Sequence, residues 1–244
     1  MIDGKTVLAI VPARGGSKGL PRKNVLPVGG KPLVAWPVGA ARASRQVDRV
    51  VVSTDDAEIA AAAVAAGGEV PFMRPAELAG DTAATMDVVR HVLARLGEAG
   101  DTFDYVVLLE PTSPLTEGSD IDRALGILHA SRDRADAIVG VSRVEAAHPE
   151  YDVRLGDDGI IRPYAVPDFR SLRRRQEIEE LYFLEGSLYA SCARALLREG
   201  SFYHARTLGY SVPRWKSLEV DELMDLICVE AILARRAELQ SLEK

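Results

Sequence analysis

Residues 8–24, LAIVPARGGSKGLPRKN, interleave four cations (Arg14, Lys18, Arg22, Lys23) with three glycines (Gly15, Gly16, Gly19) directly behind an apolar run. Glycines let a backbone turn sharply and expose successive N–H groups, which surround phosphate oxygens while lysine and arginine supply charge. The spacing is neither the Gly-Lys-Ser/Thr ending of a P-loop nor the G-x-G-x-x-G of dinucleotide binders. The chain as a whole is acidic, 30 Lys plus Arg against 36 Asp plus Glu for a net charge of −6. That balance argues against a broad nucleic-acid-binding surface and makes the cationic loop a local feature. A solvated turn with scattered charges is the plain alternative. His91, His129, His148 and His204 show no metal-ligand spacing, and no Ser/His/Asp nucleophile set is evident.

The elements that must position this loop are legible as an alternation. Runs at 6–11, 49–53, 105–109 and 137–141 read as strands buried on both faces. Between them lie helical patterns: DDAEIAAAAVAAG stopped by Gly67, TMDVVRHVLARLGEAG, and SDIDRALGILHAS with Ser119 or Asp120 as its N-cap. Strand, helix, strand in that order predicts an α/β fold, with a doubly wound, mostly parallel sheet and helices on both faces, in one domain over residues 1–244. Pro37 inside KPLVAWPVGAARAS predicts a kink, or a helix that starts nearer residue 35. From about 143 to 181 the alternation fails in a polar, Pro-rich stretch with at best one short strand, 159–164, which reads as an insertion packed over the sheet edge or against another subunit. Strands return in YFLEGSLYAS and RTLGYSVP. A terminal helix follows from about Val220, where Val220, Leu223, Met224, Ile227, Cys228 and Ala231 predict one buried face. Cys192 and Cys228 read as small buried thiols, which fits a reducing compartment. The apolar stretch 7–13 is too short for a signal segment and no run approaches the ~20 residues of a membrane span. A soluble, cytoplasmic protein is expected.

PARGGSKGLPRKN resembles the nucleotide-binding loop of the acylneuraminate cytidylyltransferases, which make CMP-activated sialic and related nonulosonic acids. The resemblance continues in order through VVSTDD (51–56), RPAELAGDTAAT (74–85), LLEPTSPLT (108–116), RRQ (174–176), EGSLYAS (185–191) and SLEVDE (217–222). It implies a Rossmann-like nucleotidyltransferase that transfers CMP from CTP to the anomeric hydroxyl of a nonulosonic acid, with pyrophosphate leaving and Mg2+ required. It implies a homodimer as well, in which the 143–181 insertion crosses to the neighbour. Phosphoryl transfer asks mainly for positioning and charge, so a cationic loop plus an acidic pair is an adequate kit. By the resemblance Arg14, Lys18 and Lys23 contact the triphosphate and form the catalytic set, Gly15 and Ser17 add hydrogen bonds, and Asn24 lies near the nucleoside. Arg74, Asp81 and Thr85 line the cytosine side, although Asp81 or Thr82 equally suits a helix cap. Asp55 stands at a strand's carboxyl end, where α/β ligand sites gather, and is not read as catalytic.

Four departures from the family bear on the metal and the acceptor. The family holds magnesium with two aspartates one residue apart, and here the pair is Glu219 and Asp221. The alternative is that both decorate the first turn of a helix; extended chain would point them the same way, a helix would not. Glu110 stands for the family's glutamine and Thr116 for its arginine, and Glu185 stands for an asparagine. Arg175 is placed to meet the acceptor carboxylate, with Gln176 and Tyr189 beside it. Such an acceptor pocket points to a legionaminic-, pseudaminic- or other modified nonulosonic acid as readily as to a sialic acid. Another sugar nucleotidyltransferase, of the Kdo type, and a non-catalytic nucleotide-binding homologue remain the competing readings.

Overall fold

The computed structural model describes residues 1–17, 19–145 and 147–241. In chain order its elements are β1 (Val7–Pro12), β2 (Pro27–Val28), β3 (Lys31–Pro32), α1 (Ala35–Ala43), β4 (Arg49–Ser53), α2 (Ala57–Ala65), α3 (Thr85–Glu98), β5 (Tyr105–Leu109), α4 (Gly118–Ala130), β6 (Ala137–Arg143), β7 (Val153–Leu155), β8 (Ile161–Pro163), β9 (Tyr182–Cys192), α5 (Ala193–Glu199), β10 (Thr207–Ser211), α6 (Leu223–Ala234) and α7 (Arg236–Ser241). The main sheet runs β10-β6-β9-β5-β1-β4. Its strands are parallel except β9, which lies antiparallel between β6 and β5.

The strands are apolar on both faces because both faces are covered. Val7, Ala9 and Val11 of β1 pack toward α1, α2 and α4, while Leu8 and Ile10 pack toward α3 and α5. Each strand thus feeds two cores through its period of two. The doubly wound, mostly parallel α/β arrangement is the one expected from the alternation.

Local differences have physical reasons. Pro37 is the third residue of α1, inside the first turn, where its missing N–H costs no helix bond, and the helix starts at Ala35. The N-cap of α4 is Glu117, not Ser119 or Asp120, and Asp120 closes a capping box from the N3 position. α3 starts after Ala84 with no side-chain cap, so neither Asp81 nor Thr82 serves that purpose. The insertion between β6 and β9 carries two short strands, β7 and β8, paired with each other.

The terminal helix corrects the expected burial. α6 begins at Leu223, and the side that packs is Leu226, Val229, Ile232 and Leu233, against Val28, Leu33, Leu115 and Val220. Leu223, Met224 and Ile227 of the expected buried face are 62%, 67% and 58% exposed, and the Cys228 thiol is exposed with them. No helix among the described residues is long and apolar enough to cross a membrane.

Candidate active site

β4 and β5 both run parallel to β1, so Pro12, Ser53 and Leu109 end at one edge of the sheet. The cationic loop leaves β1 at that edge and is held from several sides. Asp55 Oδ1 accepts from Gly15 N at 2.9 Å, and Asn24 Nδ2 donates to the Arg14 carbonyl at 2.8 Å. Arg22 takes the left-handed conformation at φ 59° and pairs with Asp56 and Glu58. Its hydrogen bond is the main reason the Asp56 carboxyl is held below the usual carboxylate range. Gly19 lies so close to Asp221 that a Cβ there would stand 2.5 Å from the Asp221 carbonyl oxygen. Lys18, expected on the triphosphate, lies outside the described residues.

Two adjoining cavities open beside this loop. One, of about 380 Å³, is lined by Ser17, Lys23, Asn24, Thr112 and Asp221. The other, of about 250 Å³, is lined by Arg74, Leu78, Asp81, Thr85 and Val88. Pro12, Arg14 and Glu110 belong to both. The cations of the loop are paired with acids across them: Arg14 Nη1 with Asp81 Oδ1 at 2.8 Å and Lys23 Nζ with Asp221 Oδ1 at 2.8 Å. Arg74 is buried and aimed by the end of β4, donating from Nε to Ser53 Oγ at 3.0 Å and from Nη2 to the Ser53 carbonyl at 2.5 Å. The expected loop and base-side residues are therefore brought together, and Asn24 also braces the loop itself.

Glu219 and Asp221 lie on irregular chain ahead of α6, whose N-cap is Glu222 with Asp225 as its capping-box partner. Those later acids, not the expected pair, decorate the helix start. Val220 N donates to the Thr112 carbonyl at 2.7 Å, and Thr112 Oγ1 donates to Glu219 Oε2 at 3.4 Å. The Glu219 carboxylate seats on Gly186, which has φ +74°. Burial first, and the Asp221 charge second, push the Glu219 carboxyl up. Glu110 is pushed up to about 7, by burial first and then by Glu219, against the pull of Arg74 and Lys23. Among the described residues no group of three or more His, Cys, Asp or Glu is gathered as a metal site. Two carboxylates with mutual repulsion still suit a hard cation that takes its remaining oxygens from substrate phosphates and water.

The expected acceptor residues do not converge. Tyr189, on β9, stacks edge-on to Tyr203 at 5.9 Å, and burial with the Tyr203 hydrogen bond holds its phenol above the usual range. Glu110 lines the two cavities. Glu185, however, is 1% exposed, accepts from Ser187 Oγ at 2.5 Å and presses on Gly140 at the irregular β6–β9 register, so it is an interior group and not a wall of either cavity. Thr116 is buried as well. Arg175 is out on the insertion, donating to the Glu145 carbonyl at 2.5 Å, and Gln176 is exposed beside it. Two contributors were not singled out by sequence reading, Ser53, which aims Arg74, and Thr112, which holds the 219–221 segment, while Asp55, noted there only for its position, is the anchor of Gly15. Their shared signal is a place at or just after a strand's carboxyl end.

A family model described as Cytidylyltransferase matches residues 8–206. The chain is 32% identical over 236 residues to the CMP-N,N'-diacetyllegionaminic acid synthase of Legionella pneumophila, covering 95% of this chain and 98% of that protein. It is 35% identical over 226 residues to an N-acylneuraminate cytidylyltransferase of Streptococcus agalactiae, covering 91% of this chain and 52% of the relative, so it spans about half of that longer protein. Against the pseudaminic acid cytidylyltransferase of Campylobacter jejuni it is 28% identical over 223 residues, covering 90% and 92%. A solved CMP:2-keto-3-deoxy-manno-octonic acid synthetase complexed with CTP shares the fold, with TM-score 0.68 at 20% identity over 95% of this chain and 99% of that one.

Proposed function

The chain belongs to the cytidylyltransferase family, and from that premise we propose that it transfers CMP from CTP to the anomeric hydroxyl of a nonulosonic acid, as a homodimer acting in the cytoplasm. The anomeric hydroxyl gives its proton up to water as its oxygen forms a bond to the α-phosphorus, the bond from that phosphorus to the bridging oxygen breaks, and pyrophosphate leaves. The observation that carries this reading is the cavity pair: a cationic side sized for phosphates joined to a smaller side floored by a fixed, buried arginine.

In this reading the cytosine enters between Arg74, Asp81 and Thr85. Arg74 is held by Ser53 before any ligand arrives, so it recognises the base edge without reordering. Arg14, Lys18 and Lys23, with Ser17 and the Gly15 amide segment, take the triphosphate and stabilise the charge that grows on the departing pyrophosphate. Glu219 and Asp221 would hold Mg2+, which when bound supplies positive charge to the phosphate oxygens. Tyr189 faces the acceptor side. Arg175 and Gln176 reach an acceptor carboxylate only from a neighbouring subunit. The near full-length match to the legionaminic acid synthase supports a diacetamido nonulosonic acid as the first acceptor to try.

Pyrophosphate release from CTP with N,N'-diacetyllegionaminate, pseudaminate, N-acetylneuraminate and the eight-carbon acid Kdo tests the reading. Release that requires both CTP and a nine-carbon acceptor is expected. Preference for Kdo, or nucleotide binding without release under any acceptor, would sink it.

A further inference from the structure

Glu110 is the first residue past β5 and stands where the two cavities meet, sharing that junction with Pro12 and Arg14. A nucleotide whose base lies beside Arg74 and whose phosphates reach Lys23 must carry its ribose and α-phosphate past these three residues. The proline side chain has no polar atom. Arg14 is the cation for the phosphate. A carboxyl facing phosphate oxygens is repelled, whereas the ribose hydroxyls are donors of the kind a carboxylate accepts. An acid near the carboxyl end of a parallel strand that takes a ribose hydroxyl is also how doubly wound nucleotide folds fix the sugar. Tyr189 lies across the β5–β9 pair, opposite Leu108.

We infer that Glu110 accepts a ribose hydroxyl of the nucleotide and thereby selects ribonucleoside over deoxyribonucleoside triphosphates. This replaces the acceptor-sugar role expected of Glu110 from the sequence, and it rests on reading the cavity pair as a CTP site. Its consequence is a preference set by one charged hydrogen bond, about ten- to hundredfold in catalytic efficiency.

The test compares kcat/KM for CTP, 2'-deoxy-CTP and 3'-deoxy-CTP at saturating acceptor, in the unaltered protein and in Glu110→Met and Glu110→Gln. The unaltered protein should favour CTP over at least one deoxy analogue by that factor. Glu110→Met should lose the preference by becoming worse with CTP, and Glu110→Gln should keep part of it through its amide oxygen. Equal use of CTP and both analogues by the unaltered protein overturns the inference, whatever the variants do. So does a preference that survives intact in an active Glu110→Met. A Glu110→Gln protein whose acceptor KM moves equally with every nucleotide while the preference stands would return Glu110 to the acceptor and overturn it too. No turnover of CTP by the unaltered protein with any acceptor is a different result and sinks the proposed function itself.

Discussion

At the scale of residues, the loop cations proposed to bind phosphate are paired with acids in the free protein. Arg14 on Asp81 and Lys23 on Asp221 are ion pairs whose acids are largely exposed, at 47% and 67% of the side chain. Pairs of that kind contribute about 0–1 kcal/mol, so a triphosphate bound as proposed would displace the carboxylates at little cost. Because charge on the phosphates increases as pyrophosphate departs, Lys23→Ala should lower the single-turnover rate at saturating CTP by about a hundredfold, with a smaller change in CTP affinity. A loss confined to the apparent CTP affinity would contradict this. The two metal candidates should not be equal. Asp221 is short and lines the cavity beside Lys23, whereas burial holds the Glu219 carboxyl above the usual range and Glu219 accepts a Thr112 hydrogen bond. Asp221→Asn should therefore cost more of the Mg2+-dependent rate than Glu219→Gln, measured across a magnesium titration. Two variants with near-unaltered rates would take metal binding away from this pair.

At the scale of elements, the cationic loop works only where it docks on neighbouring chain. Gly19→Ala would drive a methyl into the Asp221 carbonyl, which is backbone and has little room to yield. The expected outcome is a large loss of CTP turnover with a much smaller fall in melting temperature, since Gly19 itself fills no place in the core; full activity would show that the contact is not maintained in solution. The β6–β9 pair makes a second prediction through Glu185, whose carboxyl is pushed by burial from an ordinary 4.5 to about 7. The unfolded chain gives up this proton near 4.5 and the folded chain near 7, so its stabilising share is complete below about pH 4.5 and is lost as pH rises to 7. That share is on the order of 3 kcal/mol. In Glu185→Gln the fall in unfolding free energy between pH 4.5 and 8 should shrink by an amount of that order, and an undiminished fall would mean the carboxyl titrates normally. These elements also mark what sequence reading resolves. The strands at 49–53 and 105–109 were legible to the residue because apolar runs between helical patterns have few other uses in such a fold. α6 was legible as a helix but not as a face: Leu223, Met224, Leu226, Ile227, Val229, Ile232 and Leu233 make it apolar all round, and periodicity alone does not say which side meets the core. Glu185, the first residue of EGSLYAS on β9, carried no sign that the irregular register at Gly140 would draw it inside.

At the scale of the molecule, a single chain leaves apolar surface and one half of its proposed acceptor site unaccounted for. Phe183, Leu184, Leu223, Met224 and Ile227 are exposed, and a groove of about 770 Å³ runs past Phe183, Trp215, Leu218 and Ile232, away from the cationic loop. Apolar surface of this extent marks an interaction face. Arg175 and Gln176, meanwhile, sit on the insertion and line neither cavity of their own chain. A twofold dimer that covers the apolar face and carries each insertion to its neighbour's site explains both facts with one contact. Trans action makes a sharp prediction. Chains with Arg175→Ala and chains with Lys23→Ala should each be nearly inactive alone, but a co-expressed hybrid dimer contains one site built from the intact Lys23 of one chain and the intact Arg175 of the other. Random pairing makes half the dimers hybrid with one good site of two, so the mixture should regain about a quarter of the unaltered activity. If Arg175 served its own chain, each hybrid site would lack one of the two side chains, and the mixture would stay as inactive as its parts.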